Sequence, residues 1–69
     1  MDMSKLIYWQ KLELRDKICK IHVTDISEHD NYRMQGYMLG VLGFSQFEAH
    51  YPDDTWVGNL RLKGWQDAK

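Results

Sequence analysis

Apolar and polar residues alternate cleanly along two stretches of this chain. Residues 18–26, ICKIHVTDI, place Cys19, Ile21 and Val23 on one side and Lys20, His22 and Thr24 on the other. Their β-branched content is high, so the pattern predicts a strand. Residues 56–63, WVGNLRLK, set Trp56, Gly58, Leu60 and Leu62 against Asn59, Arg61 and Lys63, and predict a second strand. The segment 32–42, YRMQGYMLGVL, is less regular. Tyr32 and Met34 share one side, Tyr37, Leu39 and Val41 the other, and the parity changes at Gly36. A glycine inside a strand commonly marks a bulge, which permits that change. A helix there would carry Gly36 and Gly40 and run into Gly43, each costing about 1 kcal/mol relative to alanine. Gly36 and Gly40 have the GxxxG spacing of membrane helix dimers, but the apolar run around them is too short for a membrane. A bent strand is the preferred reading.

Two further segments are ambiguous. In 45–51, SQFEAHY, the residues Phe47, Ala49 and Tyr51 alternate, while Ser45-x-x-Glu48 has the form of a helix capping box. Pro52 favours an extended Tyr51 and ends any helix there. A strand is preferred, with one helical turn as the alternative. In 4–14, SKLIYWQKLEL, Ser4 can cap a helix, but Leu6, Trp9 and Glu13 make no clean stripe; Leu12 and Leu14 alternate with Glu13 and Arg15. Turn-forming residues recur at 15–17, 27–31, 43 and 52–55, the rhythm of a β-rich domain. The expected fold is mainly β: a single domain over residues 1–69, built as a small bent antiparallel sheet or a partly closed five-stranded barrel of the SH3, Sm or OB kind, with room for one short N-terminal helix. Closure would remove sheet edges that otherwise pair with other chains.

Composition narrows the picture. A chain of 69 residues buries only about 60% of its unfolded surface, and a core of that size rarely supplies more than ~3–5 kcal/mol. Cys19 is the lone cysteine, so no internal disulfide forms, and no CxxC or CxxH pair offers a structural zinc site. Dense aromatic packing or self-association must compensate, and the chain holds nine aromatic residues. Trp56 and Phe47 are assigned to the core. The net charge of −1 excludes a general polyanion binder, although residues 25–54 carry six carboxylates against Arg33 alone. No signal peptide or membrane-length apolar run is present. The single thiol fits a reducing compartment. The expected location is the cytoplasm, and the initial methionine reads as the start of a complete small gene product.

The stretch EAHYPDDTW concentrates chemistry-bearing residues. His50, Asp53 and Asp54 can be imagined as metal ligands, with Glu28, His29 and Asp30 as a second source of donors. Neither group has a helical i, i+4 spacing or a dedicated metal-loop pattern. A turn explains the same residues more simply, because Pro52 presets a β-turn and Asp53, Asp54 and Thr55 are turn formers. His22 falls on the polar side of its strand and reads as solvated. Cys19 falls on the apolar side and reads as buried and inert. No phosphate-binding glycine loop and no nucleophile–histidine order appears. An enzyme is therefore the least favoured class, and neither a cofactor nor a resident metal is expected.

Protein binding explains more of the composition. Trp, Tyr and Met concentrate at interfaces, and the expected contact residues are Tyr32, Met34, Tyr37, Arg61, Lys63 and Trp65. The role expected is a small non-enzymatic regulator or inhibitor that occludes or bridges a partner protein, another chain or a second copy of itself, of the sort encoded among phage and plasmid accessory genes. The alternative is a small barrel that stacks single-stranded nucleic acid on Trp65, with Arg61 and Lys63 beside it on the outward side of the last strand and Lys20 and His22 adding charge. RMQGYMLGVLGFSQF followed by VGNLRLKGW resembles the two blocks of Sm-like proteins, in a glycine before a bent strand and a late basic–glycine pair. That resemblance covers about half the chain. Ser45 and Gln46 stand where the family has its acidic and amide RNA contacts, and the closing strand is missing, so the chain is not assigned to that family. A metal-dependent activity at His50, Asp53 and Asp54 is the third reading.

Overall fold

The computed structural model describes residues 7–53 and 55–69. Four helices account for most of them: α1 (Tyr8–Cys19), α2 (Glu28–Val41), the single turn α3 (Gln46–Ala49) and α4 (Trp56–Asp67). The sheet or barrel expected from the alternation is not formed, and no strand occurs among the described residues. The presumed strand 56–63 lies within α4, nearly all of 32–42 lies in α2, and 18–26 spans the end of α1 and the connection to α2.

The correction has a local cause at the helix starts. Ser27, Ser45 and Thr55, residues that also form turns, are helix caps. Ser27 Oγ accepts from the Asp30 N–H at 3.1 Å, with Glu28 and Asp30 in the first turn. Ser45 Oγ accepts from the Glu48 N–H at 3.2 Å, and Glu48 Oε1 returns to the Ser45 N–H at 2.9 Å. Thr55 Oγ1 accepts from the Gly58 N–H at 3.1 Å and donates to the Pro52 carbonyl at 3.0 Å. Each cap satisfies a donor that the first helical turn leaves orphaned, a contribution of about 1 kcal/mol. Carboxylates near α2's positive end add to it. At α1 the Gln10 side chain accepts from the Ile7 N–H at 3.1 Å. Ser4, the cap considered for a first helix, lies outside the described residues.

Gly43 ends α2. Its φ of +90 is open to glycine at little cost. The Gly43 N–H reaches back to the Gly40 carbonyl at 3.1 Å and the Phe44 N–H to the Leu39 carbonyl at 3.0 Å. This pair of bonds is a Schellman motif, and its accompanying apolar contact is made by Leu39 and Phe44, both in the core.

Helices α2 and α4 form the main interface and run in the same direction. His29 meets Trp56 where both begin, and Gly40 meets Trp65 and Ala68 where both end. Their backbones touch. A methyl group on Gly36 would run into the Arg61 carbonyl, and one on Gly64 into the Arg33 carbonyl. Small residues at such spacing let helix backbones approach closely. The helical cost of each glycine is offset by dispersion attraction between the two backbones along that line. This is the second cause of the misreading: the inward side of α4 is Gly58, Arg61 and Gly64, all buried, so no apolar stripe of helical period marks it.

The apolar core is small. Ile18, Leu39, Phe44 and Ala49 are buried, with Leu14, Cys19, Met38, Leu42 and Trp65 packed around them. The core sits where the second half of α1, the second half of α2 and α3 meet. α1 runs opposite to α2, since Lys11 lies over the Phe44 ring while the Cys19 carbonyl faces Gln35. Trp65 reaches the core from α4 and donates its indole N–H to the Phe44 carbonyl at 2.7 Å.

Candidate interaction surfaces

The strand reading points Arg61 outward beside Lys63 and Trp65. It is instead 5% exposed. Its Nε donates to Gln35 Oε1 at 2.8 Å, and its terminal nitrogens donate to the carbonyls of Tyr51 and of Cys19. Its guanidinium also lies over the Tyr32 ring, 5.4 Å from the centroid. Gln35 Nε2 continues the network to the Ile21 carbonyl at 2.8 Å, and Asn31 bonds the Ile21 carbonyl and the Val23 N–H, both at 2.9 Å. A buried cation without a carboxylate among its hydrogen-bond partners needs dipoles instead. It finds them in three neutral oxygens, one of which, Cys19, belongs to the negative end of α1. Arg61 is thus a clasp that holds α1, α2 and the Tyr51 segment to α4.

The other expected contact residues disperse. On a helix, Arg61 and Trp65 share the side that meets α2, while Lys63 is exposed on the opposite side. Tyr32 is half-buried; its hydroxyl bonds Glu28 at 3.3 Å and its ring stands edge-on to Trp56, with centroids 5.4 Å apart. Trp56 and Phe47, assigned to the core from the sequence, are both exposed. Met34 is half-buried and Tyr37 exposed on α2, where the Tyr37 backbone nitrogen lies close to Gly64 of α4.

The second half of α2 also carries exposed apolar side chains. Tyr37 is 49% exposed and Val41 63%. With Met38 and Leu42 they line a groove of about 270 Å³ whose walls carry no polar surface. Beyond it, Phe47 is 88% exposed on α3. The reciprocal Ser45–Glu48 bonds and the Lys11–Glu48 ion pair, 3.5 Å, brace that turn. Burial works to raise the Glu48 carboxyl pKa, but the Ser45 bonds and the Lys11 ammonium outweigh it and hold the group below its ordinary value. A second exposed pair, Tyr8 and Trp9, packs edge to face near the start of α1, with ring centroids 5.8 Å apart. Helical spacing was the signal that would have found the groove: Tyr37, Met38, Val41 and Leu42 stand at i, i+1, i+4 and i+5.

The metal reading finds no assembled donor set. His50 Nδ1 is 3.8 Å from Asp53, and His50 Nε2 faces Asn59 Oδ1 at 3.0 Å. Asp54 lies outside the described residues. His29 stacks on Trp56, with centroids 5.4 Å apart. Among the described residues no three His, Cys, Asp or Glu side chains gather to hold an ion. Cys19 is half-buried. Burial raises its thiol pKa more than the nearby Arg61 and Arg15 guanidiniums lower it, with Asp16 adding to the rise.

Compared with protein-family models, curated proteins and solved structures, the chain matches none. No helix among the described residues is long and apolar enough to cross a membrane.

Proposed function

We propose that this chain is a protein-binding module, a small non-enzymatic regulator that occludes or bridges a partner protein through the free side of α2. One observation carries the reading: Tyr37, Met38, Val41 and Leu42 form a wholly apolar groove at the surface, while among the described residues only four apolar side chains are enclosed in the core. Contiguous apolar surface of this kind is unfavourable in water and marks sites that another macromolecule covers. Met and aromatic residues suit such a site, because they give large contact area and adapt to a partner's shape. The cytoplasm is the setting proposed, on the strength of the single thiol.

Photo-crosslinking tests the role. A benzophenone side chain placed at Tyr37 or Val41 in cells that express the chain is expected to capture a defined protein adduct. The same group at Glu13 or Lys63, exposed positions elsewhere, is expected to give none. Equal adducts at all four positions, or none at any, would refute the proposal.

A further inference from the structure

We infer that the partner on this surface is a second copy of the chain, held by exchange of Phe47 into the groove of Tyr37, Met38, Val41 and Leu42. The inference rests on the protein-binding reading and names its partner. The chain carries both halves of the contact. Among the described residues Phe47 is the most exposed large apolar side chain, at 88%, and it stands on a turn fixed by the Ser45–Glu48 box and pinned to α1 by Lys11. An aromatic ring held out rigidly in water loses little conformational freedom on docking, which is what an interface anchor requires. The groove of about 270 Å³ has room for one such ring, and its walls offer nothing polar to a charged or hydrogen-bonding guest.

The two halves are also close enough to belong to one interface. Only four residues separate the end of α2 from the start of α3. In a two-fold arrangement that seats each Phe47 in the opposite groove, the contact is made twice and closes on itself. A specific dimer buries about 800 Å² per protomer, roughly a sixth of the 4707 Å² this chain exposes. The net charge of −1 puts little electrostatic cost on bringing two copies together. Enclosing these side chains would also supply what the small internal core lacks.

Sedimentation equilibrium from micromolar to millimolar concentration tests the contact. Wild type is expected at twice the 8.3 kDa chain mass. Phe47→Ser and Val41→Lys alter exposed side chains, so each is expected to keep its helical circular dichroism while sedimenting as a monomer. An equimolar mixture of the two is then expected to regain a weaker dimer, since one chain keeps the groove and the other keeps the ring. A monomeric wild type, dimeric single variants, or a mixture that stays monomeric would each overturn the exchange. A monomeric wild type whose Tyr37 crosslinker still captures a different protein overturns the second copy and leaves the protein-binding reading standing. A monomer that captures nothing removes both.

Discussion

The two sides of α2 invert the usual distribution of bulk. Against α4 the helix presents Gly36 and Gly40, and its neighbouring buried positions include Asn31 and Gln35. Toward solvent it presents Tyr37 and Val41, with Met38 and Leu42 at the edge. The inner side is held by backbone contact and a polar clasp, whereas Met38 and Leu42 at the edge pack against the small core. Small residues against α4 permit closeness, while Tyr37 and Val41 stand largely in solvent. The side chains that hold α2 in the fold are therefore different from those it exposes, and the two sets can be altered separately.

The largest expected effect comes from the glycines. Gly36→Ala and Gly64→Ala each gain about 1 kcal/mol of helix propensity, but the added methyl forces the two backbones apart. Overpacking of this kind costs about 3 kcal/mol or more, so a net loss of about 2 kcal/mol is expected in urea unfolding, most of what so small a domain has. Tyr37→Ser and Val41→Ser, on the other side, are expected to stay within about 0.5 kcal/mol of wild type when measured on the monomer. Glycine variants of unchanged stability would dissolve the contrast.

Arg61→Met ranks next. It leaves Gln35 Oε1 and the Tyr51 carbonyl without their Arg61 donor and the Cys19 carbonyl with Gln35 Nε2 alone, and unsatisfied buried polar groups cost about 1–3 kcal/mol. A loss near 2 kcal/mol is expected, against no measurable loss for Lys63→Met, which is exposed two positions along the same helix.

Cys19 sharpens the comparison chemically. Because burial raises its pKa, the native thiol stays protonated at neutral pH. Iodoacetamide is expected to alkylate it more slowly than a free cysteine up to about pH 8.5, and at the free rate in denaturant. Fast native labelling would show that the α1 end of the Arg61 clasp opens readily.

Acid gives the smallest effect. The Glu48 pKa is depressed in the folded state, so its contribution is present above the unfolded value of about 4.3 and is lost as pH falls through the folded value. The melting temperature is expected to fall more steeply with acidification in wild type than in Glu48→Gln. Identical acid profiles would mean that Lys11 and Ser45 do not brace the Phe47 turn.

The sequence held part of this in plain view. Ser45-x-x-Glu48 is legible as a capping box and forms one, although alternation favours a strand there. Tyr37, a contact candidate from the sequence, is exposed on α2. The helices were hidden for physical reasons. Ser27 and Thr55 accept from a backbone N–H three residues on, and the same chemistry makes a turn or starts a helix. Gly36, Gly40, Gly58 and Gly64 count as helix breakers one at a time, and their value appears only when a second backbone lies against them. Arg61 could not be read as buried, because its partners are carbonyls at Cys19 and Tyr51 that no residue-type pattern reveals. The alternation of Trp56, Leu60 and Leu62 reads as a strand because α4's true inward residues are not apolar.

The parallel course of α2 and α4 has a consequence for how the chain acquires its shape. Helices joined by a tight hairpin can pair as soon as the second is made, whereas here a crossover that includes α3 intervenes, and the Gln35–Arg61 bond spans 26 positions. Closing so wide a loop must precede any reward from the glycine seam. During synthesis α2 therefore waits, its bare inner flank open to water and to other chains, until α4 has emerged. Assembly should then begin as a late, concerted docking rather than as a gradual accretion from the first helix onward.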